Sequence, residues 1–199
     1  MGSHYFEKNP GKDSEERKIE CRLRGRRMSF ISDHGVFSKK EVDFGSRTLL
    51  DAYSWPEQEG SILDVGCGYG PIGISLALET ERQVWLTDVN ERALQLAEKN
   101  AAAYGLKNTV VKNSDLFSAI EKTDFAAIIT NPPIRAGKQV VHSLFEEASN
   151  HLQSGGSLWV VIQKKQGAPS AKEKLLSIFR EVQLVSKNKG YYIFCAKKD

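Results

Sequence analysis

Apolar residues recur along this chain in two periods that alternate with each other. Short, largely apolar runs fall at 61–65, 83–88, 109–111, 124–130 and 157–163. Between them lie amphipathic stretches of helical period at about 71–80, 91–104, 138–152 and 171–179. Buried strands interleaved with helices predict an α/β fold around a largely parallel sheet. Two stretches depart from this. Ile19, Cys21 and Leu23 alternate with Glu20, Arg22 and Arg24, and Arg27 to Ser32 follows after Gly25-Arg26. Glu181–Ser186 and Tyr191–Ala196 flank Asn188-Lys189-Gly190. Period-two runs about glycine turns predict two β-hairpins. A further helix is expected from about Gly45 to Tyr53, with Asp43 or Ser46 able to cap it. The organisation expected is an N-terminal arm and hairpin over 1–44 and one catalytic domain over 45–199.

The run Ile62-Leu63-Asp64-Val65-Gly66-Cys67-Gly68-Tyr69-Gly70-Pro71-Ile72-Gly73 reads as strand, glycine loop and helix start. Pro71 suits the first helical position, where its missing N–H costs nothing. Glycines at such a loop let main chain approach a ligand closely. Gly68, Gly70 and Gly73 alone match the dinucleotide spacing G-x-G-x-x-G. The acid at the strand's end changes that reading, because Asp64 would repel a pyrophosphate and can accept hydrogen bonds from an ammonium group. The pattern Asp64-x-Gly66-x-Gly68-x-Gly70 resembles motif I of the class I S-adenosylmethionine (SAM) methyltransferases.

Later strand ends carry further polar groups. Asp88 closes strand two, about 20 residues past the loop, where an acid binds both hydroxyls of a ribose. Its alternative duty is capping the next helix, which Asn90 can also do. Val89 would pack on the adenine. Asp115 follows strand three and either reaches the adenine amino group or caps a short helical turn at Leu116–Ile120.

Composition narrows the class. The 199 residues are 40% hydrophobic and 27% charged, as expected of an ordinary globular chain. No apolar run reaches the roughly 20 residues of a membrane helix, and no signal-peptide core opens the chain. Cys21, Cys67 and Cys195 are few and scattered, which fits reduced thiols in a cytoplasmic protein and gives no zinc spacing. Cys67 is expected to be a small residue beside the cofactor. Residues 1–40 hold ten Lys/Arg and six Asp/Glu, residues 41–130 seven and fourteen, and residues 131–199 eleven and five. Basic ends about an acidic middle permit a phosphate-facing surface. Arg22, Arg24 and Arg27 would form a basic strip on the first hairpin. His142 and His151 read as surface or helix-end residues, and Lys39 as facing phosphate or the cofactor carboxylate.

The second informative stretch is Asn131-Pro132-Pro133-Ile134, directly after the apolar strand 124–130. Two prolines remove two N–H donors. Acceptors remain: the Asn131 side chain and carbonyl oxygens including that of Pro132, which suit the two hydrogens of an NH₂ group. Asn-Pro-Pro-aromatic at this place is the motif of methyltransferases acting on adenine N6, guanine N2 or glutamine amide. Here Ile134 stands at the aromatic position, so either Ile134 makes an apolar contact or another ring stacks on the target; Phe37, in its loop, could supply that ring or plug the core. The run through Arg135 and Lys138, together with His4-Tyr5-Phe6, Gly35-Val36-Phe37-Ser38 and Asp43-x-Gly45-Ser46, resembles the small-domain 16S ribosomal RNA guanine-N2 methyltransferases.

That resemblance implies a Rossmann-like seven-stranded sheet with an antiparallel last strand, an N-terminal hairpin and helix, SAM as cofactor, and ribosomal RNA or the small ribosomal subunit as partner. It implies Asn131 and Pro132 as catalytic residues. Asp64, Gly66, Gly68, Gly70, Asp88, Val89 and Asp115 would bind the cofactor. Ile134, Arg135, Lys138 and Phe37 would bind the substrate, with no metal. RNA recognition would come from the hairpin, the basic loops or a partner. The alternatives are transfer to adenine N6 or a protein glutamine, an RNA-binding or assembly factor without turnover, and an NAD-dependent oxidoreductase, in which Asn131-Pro132-Pro133-Ile134 would have no role.

Overall fold

A computed structural model of the protein describes residues 14–199. The predicted arm, up to residue 13, and His4-Tyr5-Phe6 lie outside the described residues. The elements run β1 (Arg17–Leu23), β2 (Arg26–Ser32), α1 (Phe44–Ala52), β3 (Ile62–Val65), α2 (Pro71–Ala77), β4 (Val84–Asp88), α3 (Glu91–Ala103), β5 (Thr109–Asn113), β6 (Phe125–Thr130), α4 (Lys138–His151), β7 (Leu152–Gln163), α5 (Ala168–Ile178), β8 (Glu181–Asn188) and β9 (Tyr191–Lys197).

Seven strands form one sheet in the order β5-β4-β3-β6-β7-β9-β8. The first five are parallel, and β9 is antiparallel to both its neighbours. Every residue of β3 and β6 is buried, as central strands covered on both faces must be. The register sets the site. Val65 pairs with Thr87 on one side and Thr130 on the other, so these three strands end level. Gly66, Asp88 and Asn131 therefore emerge side by side at one sheet edge. From β3 the chain progresses outward through β4 to β5 and then returns to β6 on the other side, so the topological switch point lies between β3 and β6, the place where open α/β sheets bind ligands.

The hairpin β1–β2 is a separate two-stranded sheet. Its Ile19, Leu23, Met28 and Phe30 are buried in the same cluster as residues of β3, α2 and α3. Asn100 of α3 clamps it, accepting from the Ile31 amide at 2.7 Å and donating to the Ile31 carbonyl at 2.9 Å.

Arg24 does not join the basic strip expected of this hairpin. The turn is Arg24-Gly25, with φ of 46° and 79°, the left-handed pair that suits a twisted two-residue turn. Its guanidinium pairs with Glu79 at 2.8 Å and donates to the carbonyls of Leu50 and Tyr53. Arg22 and Arg27 remain cross-strand neighbours and exposed. Two other expectations shift. α2 stops at Ala77. The segment after Asp115 is a turn in which Ser114 Oγ, not the Asp115 side chain, accepts from Ala119, leaving Asp115 exposed.

Candidate active site

The glycine loop divides its labour. Gly66 and Gly68, at φ of +75° and +57°, have open space where a Cβ would stand. Gly70 and Gly73 are packing glycines, since a Cβ would come within 2.6 Å of Ile74 Cδ1 and 2.7 Å of Leu86 Cγ. The loop is held by the Thr87 carbonyl, which accepts from Gly66 and Cys67 at 2.8 and 2.9 Å. Cys67 is buried and its thiol is pushed well above the usual range by desolvation, which makes it inert.

Asp64 is buried behind the loop and lines none of the three cavities at the sheet edge. Its Oδ2 accepts from the Gly73 amide at 2.9 Å, while Oδ1 is buried without a hydrogen bond. Burial raises the carboxyl to about 7, and the neighbouring Asp88 adds to the rise. An orphaned carboxyl oxygen at this depth fits a cation, or a water bridging to one, at the loop above it, which would favour its ionised form. Asp88 faces the cavity directly. It accepts from the Gly68 amide and the Asn90 amide, both at 2.9 Å. Desolvation raises its pKa against these bonds. Capping of α3 is done by Asn90, whose Oδ1 accepts from Ala93 at 3.1 Å, so Asp88 is free of that duty.

Three cavities meet at the sheet edge. The first, about 280 Å³, runs from Val65 and Gly66 past Asp88, Val89 and Asp115. A small one of about 40 Å³ lies between Gly66–Tyr69 and Asp43–Ser46. The third, about 340 Å³, opens towards Ile134, Arg135, Gln166 and Tyr191. Phe37 and Asn131 line all three.

Asn131 is held from behind. Its Nδ2 donates to Asp43 Oδ2 and to Ser46 Oγ, both at 3.0 Å. A carboxylate only accepts, so this atom must be the nitrogen, and Oδ1 is left as the acceptor facing the junction. Asp43 Oδ2 also caps α1 by accepting from Ser46 N at 3.1 Å. Gly45 makes room for this, because a Cβ there would lie 2.8 Å from Asp43 Oδ2. Pro132 is buried, and its carbonyl accepts from the Ile134 amide at 2.8 Å in a tight turn. It therefore has one lone pair to offer rather than two.

Phe37 is 48% exposed, although most phenylalanines are core residues. Its loop is pinned: Asn90 Nδ2 donates to the Gly35 carbonyl at 2.8 Å, Arg92 to that of His34 at 2.9 Å, and Tyr69 OH to that of Ser38 at 3.3 Å. Ile134 packs partly into the core. Lys138 lines a fourth cavity beyond it. Asp43, Ser114, Leu116, Gln166 and Tyr191 join the cavities without having been singled out as ligand-facing residues. Asp43 had a signal as a cap, but nothing local tied it to Asn131. No group of three or more potential metal ligands occurs among the described residues.

The sheet order and this edge define a class I methyltransferase, the fold that binds SAM. The family model described as "Methyltransferase small domain" matches residues 27–195, and the chain belongs to that family. It is 56% identical over its whole length, and that of the relative, to the uncharacterized protein YbxB of Bacillus subtilis. It is 30% identical to ribosomal RNA small subunit methyltransferase C of Actinobacillus pleuropneumoniae, over 98% of this chain and 60% of that one. Among solved structures it resembles the T. thermophilus 16S rRNA N2 methyltransferase (RsmC) in complex with AdoMet and guanosine. That match has a TM-score of 0.82 at 26% identity, over 96% of this chain and 52% of that chain. The chain thus spans between half and two thirds of these two enzymes.

Proposed function

We propose that the protein methylates RNA from SAM, transferring to the exocyclic N2 of a guanine in small-subunit ribosomal RNA. The observation that carries this is the position of Asn131. It stands where three cavities meet, its NH₂ group is engaged by Asp43 and Ser46, and it presents a lone acceptor oxygen. An acceptor fixed in that way selects a donor, and an NH₂ group brought against it is held by its own hydrogen. The named targets of the ribosomal RNA relatives favour RNA over a protein glutamine.

Bound SAM would supply a methyl group activated by its positive sulfur. The chain's own residues do the rest. Asp88 accepts from the ribose hydroxyls, Val89 covers an adenine face and Asp115 reaches its edge. Gly66 and Gly68 let backbone lie against the cofactor, and Asp64 balances its positive charge. Phe37 stacks on the target base, which must be unpaired or flipped to enter. Arg135 and Lys138 face phosphates. Asn131 Oδ1 and the remaining lone pair of the Pro132 carbonyl accept the two N–H bonds of the target nitrogen. That aims its lone pair at the methyl and favours the charge that develops on it. No strong base is needed before attack; the methylated, positive nitrogen would then lose its proton to water, with neutral S-adenosylhomocysteine as the other product.

Replacing Asn131 with Ala tests this. SAM affinity, read by calorimetry, is expected to stay near normal. Transfer of labelled methyl to small-subunit ribosomal RNA should fall by about a hundredfold or more, as when a transition-state partner is removed. Full activity in the variant would remove Asn131 from the mechanism.

A further inference from the structure

Beyond Ile134 the target cavity continues into a groove between α4 and α5. The groove has about 120 Å³ of space, against about 340 Å³ for the target cavity. Ile134 and Gln166 line both, so the two share a wall. Val141, Ile162 and Ala171 give the groove an apolar floor, and Lys138, His142 and Ser170 a polar lip. Cations surround it. Arg135 lines the adjoining cavity, and Lys164 and Lys165 stand on the turn that carries Gln166. The Lys164 amide donates to the Gly190 carbonyl at 2.7 Å, which brings the β8–β9 turn and Lys189 to the same rim. Arg135, Lys138, Lys164, Lys165 and Lys189 are all exposed. None has an ion-pair partner among the described residues.

We infer that this groove receives the nucleotide next to the target in the RNA chain, its base against the apolar floor and its phosphates on the cationic rim. The inference rests on the RNA-methyltransferase reading and gives it a source of sequence context. An apolar slot that shares the Ile134–Gln166 wall with the target cavity suits a base face. Exposed cations at the start of α4 and on two neighbouring turns, with Lys189 lying over the Phe44 ring, suit the polyanionic backbone, to which they bind with counterion release. The hairpin keeps Arg22 and Arg27 exposed, but Arg24 is spent on Glu79 and two carbonyls, and the cavity beside it is lined by Arg24, Arg26, Asp51 and Glu79 with no apolar floor.

The test uses short single-stranded RNAs containing one guanine, with an ordinary or an abasic nucleotide beside it. Binding is followed by fluorescence anisotropy and methyl transfer by label. The wild type should bind the abasic RNA about tenfold more weakly, the scale of one lost base contact. The Ser170→Tyr variant, which fills the groove, should bind the ordinary RNA about tenfold more weakly and no longer distinguish the two. Its SAM affinity and melting temperature should stay at the wild-type values. Lys138→Glu should weaken both RNAs and flatten the salt dependence. Methyl transfer with no penalty for the abasic neighbour would overturn the groove and leave the activity standing. Neighbour-dependent binding without transfer would keep the groove and overturn the activity. RNA that does not bind at all would overturn both.

Discussion

Asp43 carries a carboxylate 3.0 Å from the Asn131 amide, and its other duty, capping α1, can be performed by neutral residues. Asn and Ser cap helices about as well as Asp. Asp43→Asn and Asp43→Ser should therefore keep the melting temperature within a few degrees and leave SAM affinity unchanged. Both should lower kcat by about tenfold or more, because a charge-assisted hydrogen bond to Asn131 is lost. A drop in melting temperature with normal kcat would reduce Asp43 to a cap. Phe37 separates in the opposite sense. Being half exposed, its replacement by Ala should change stability by no more than about 0.5 kcal/mol while kcat/KM for RNA falls about tenfold or more. Unchanged RNA kinetics would deny it the stacking role. Asn131 was legible in the sequence because its chemistry sits beside two prolines. Its holder was not, since 88 positions separate Asp43 from it and only the sheet edge brings them together. The tight turn that uses one lone pair of the Pro132 carbonyl was equally hidden, because it depends on the backbone angles of Pro133.

Among the elements, the first hairpin shows where pattern misleads. Alternation placed Arg24 on a solvent-facing strip, but alternation cannot say which two residues make the turn. The structure puts Arg24 in the turn itself and its guanidinium into a pocket on α1 and the end of α2, where Arg24 and Glu79 side chains are only 18% and 17% exposed. Arg24→Ala leaves Glu79 and two carbonyls short of a donor and should cost about 2 kcal/mol or more by chemical denaturation. RNA affinity should be unaffected; an RNA-binding loss without a stability loss would restore the basic-strip reading. The central strands β3, β4 and β6 were readable to about one residue, because buried apolar runs admit few other placements in an alternating chain. β7, however, begins at Leu152, before the expected 157, since Gly155-Gly156 read as a turn while Leu152 already pairs with Phe125 across an irregularity.

For the molecule as a whole, the proposed cofactor role of Asp64 would link folding to cofactor binding. Its carboxyl is raised from 3.8 to about 7 by burial. In that window the unfolded chain has released the proton and the folded chain has kept it, so stability falls as pH rises from about 4 through about 7. The amount is on the order of a few kcal/mol in the ligand-free protein. Thermal melts from pH 5 to 8 should show the decline, and Asp64→Asn should flatten it while weakening SAM binding. An unchanged pH slope in the variant would place the titration elsewhere. Sequence marked Asp64 as a cofactor residue, but its complete burial and orphaned oxygen follow only from the packing of α2 on β3. The central claim is the transfer itself. It is tested most directly by incubating the protein with labelled SAM and small ribosomal subunits lacking their methylations, with naked 16S RNA and Asn131→Ala alongside, and identifying the product nucleoside. The expected result is N2-methylguanosine from the wild type, with the variant sharply depressed. Label in N6-methyladenosine would contradict the account, as would no label in any RNA while SAM still binds.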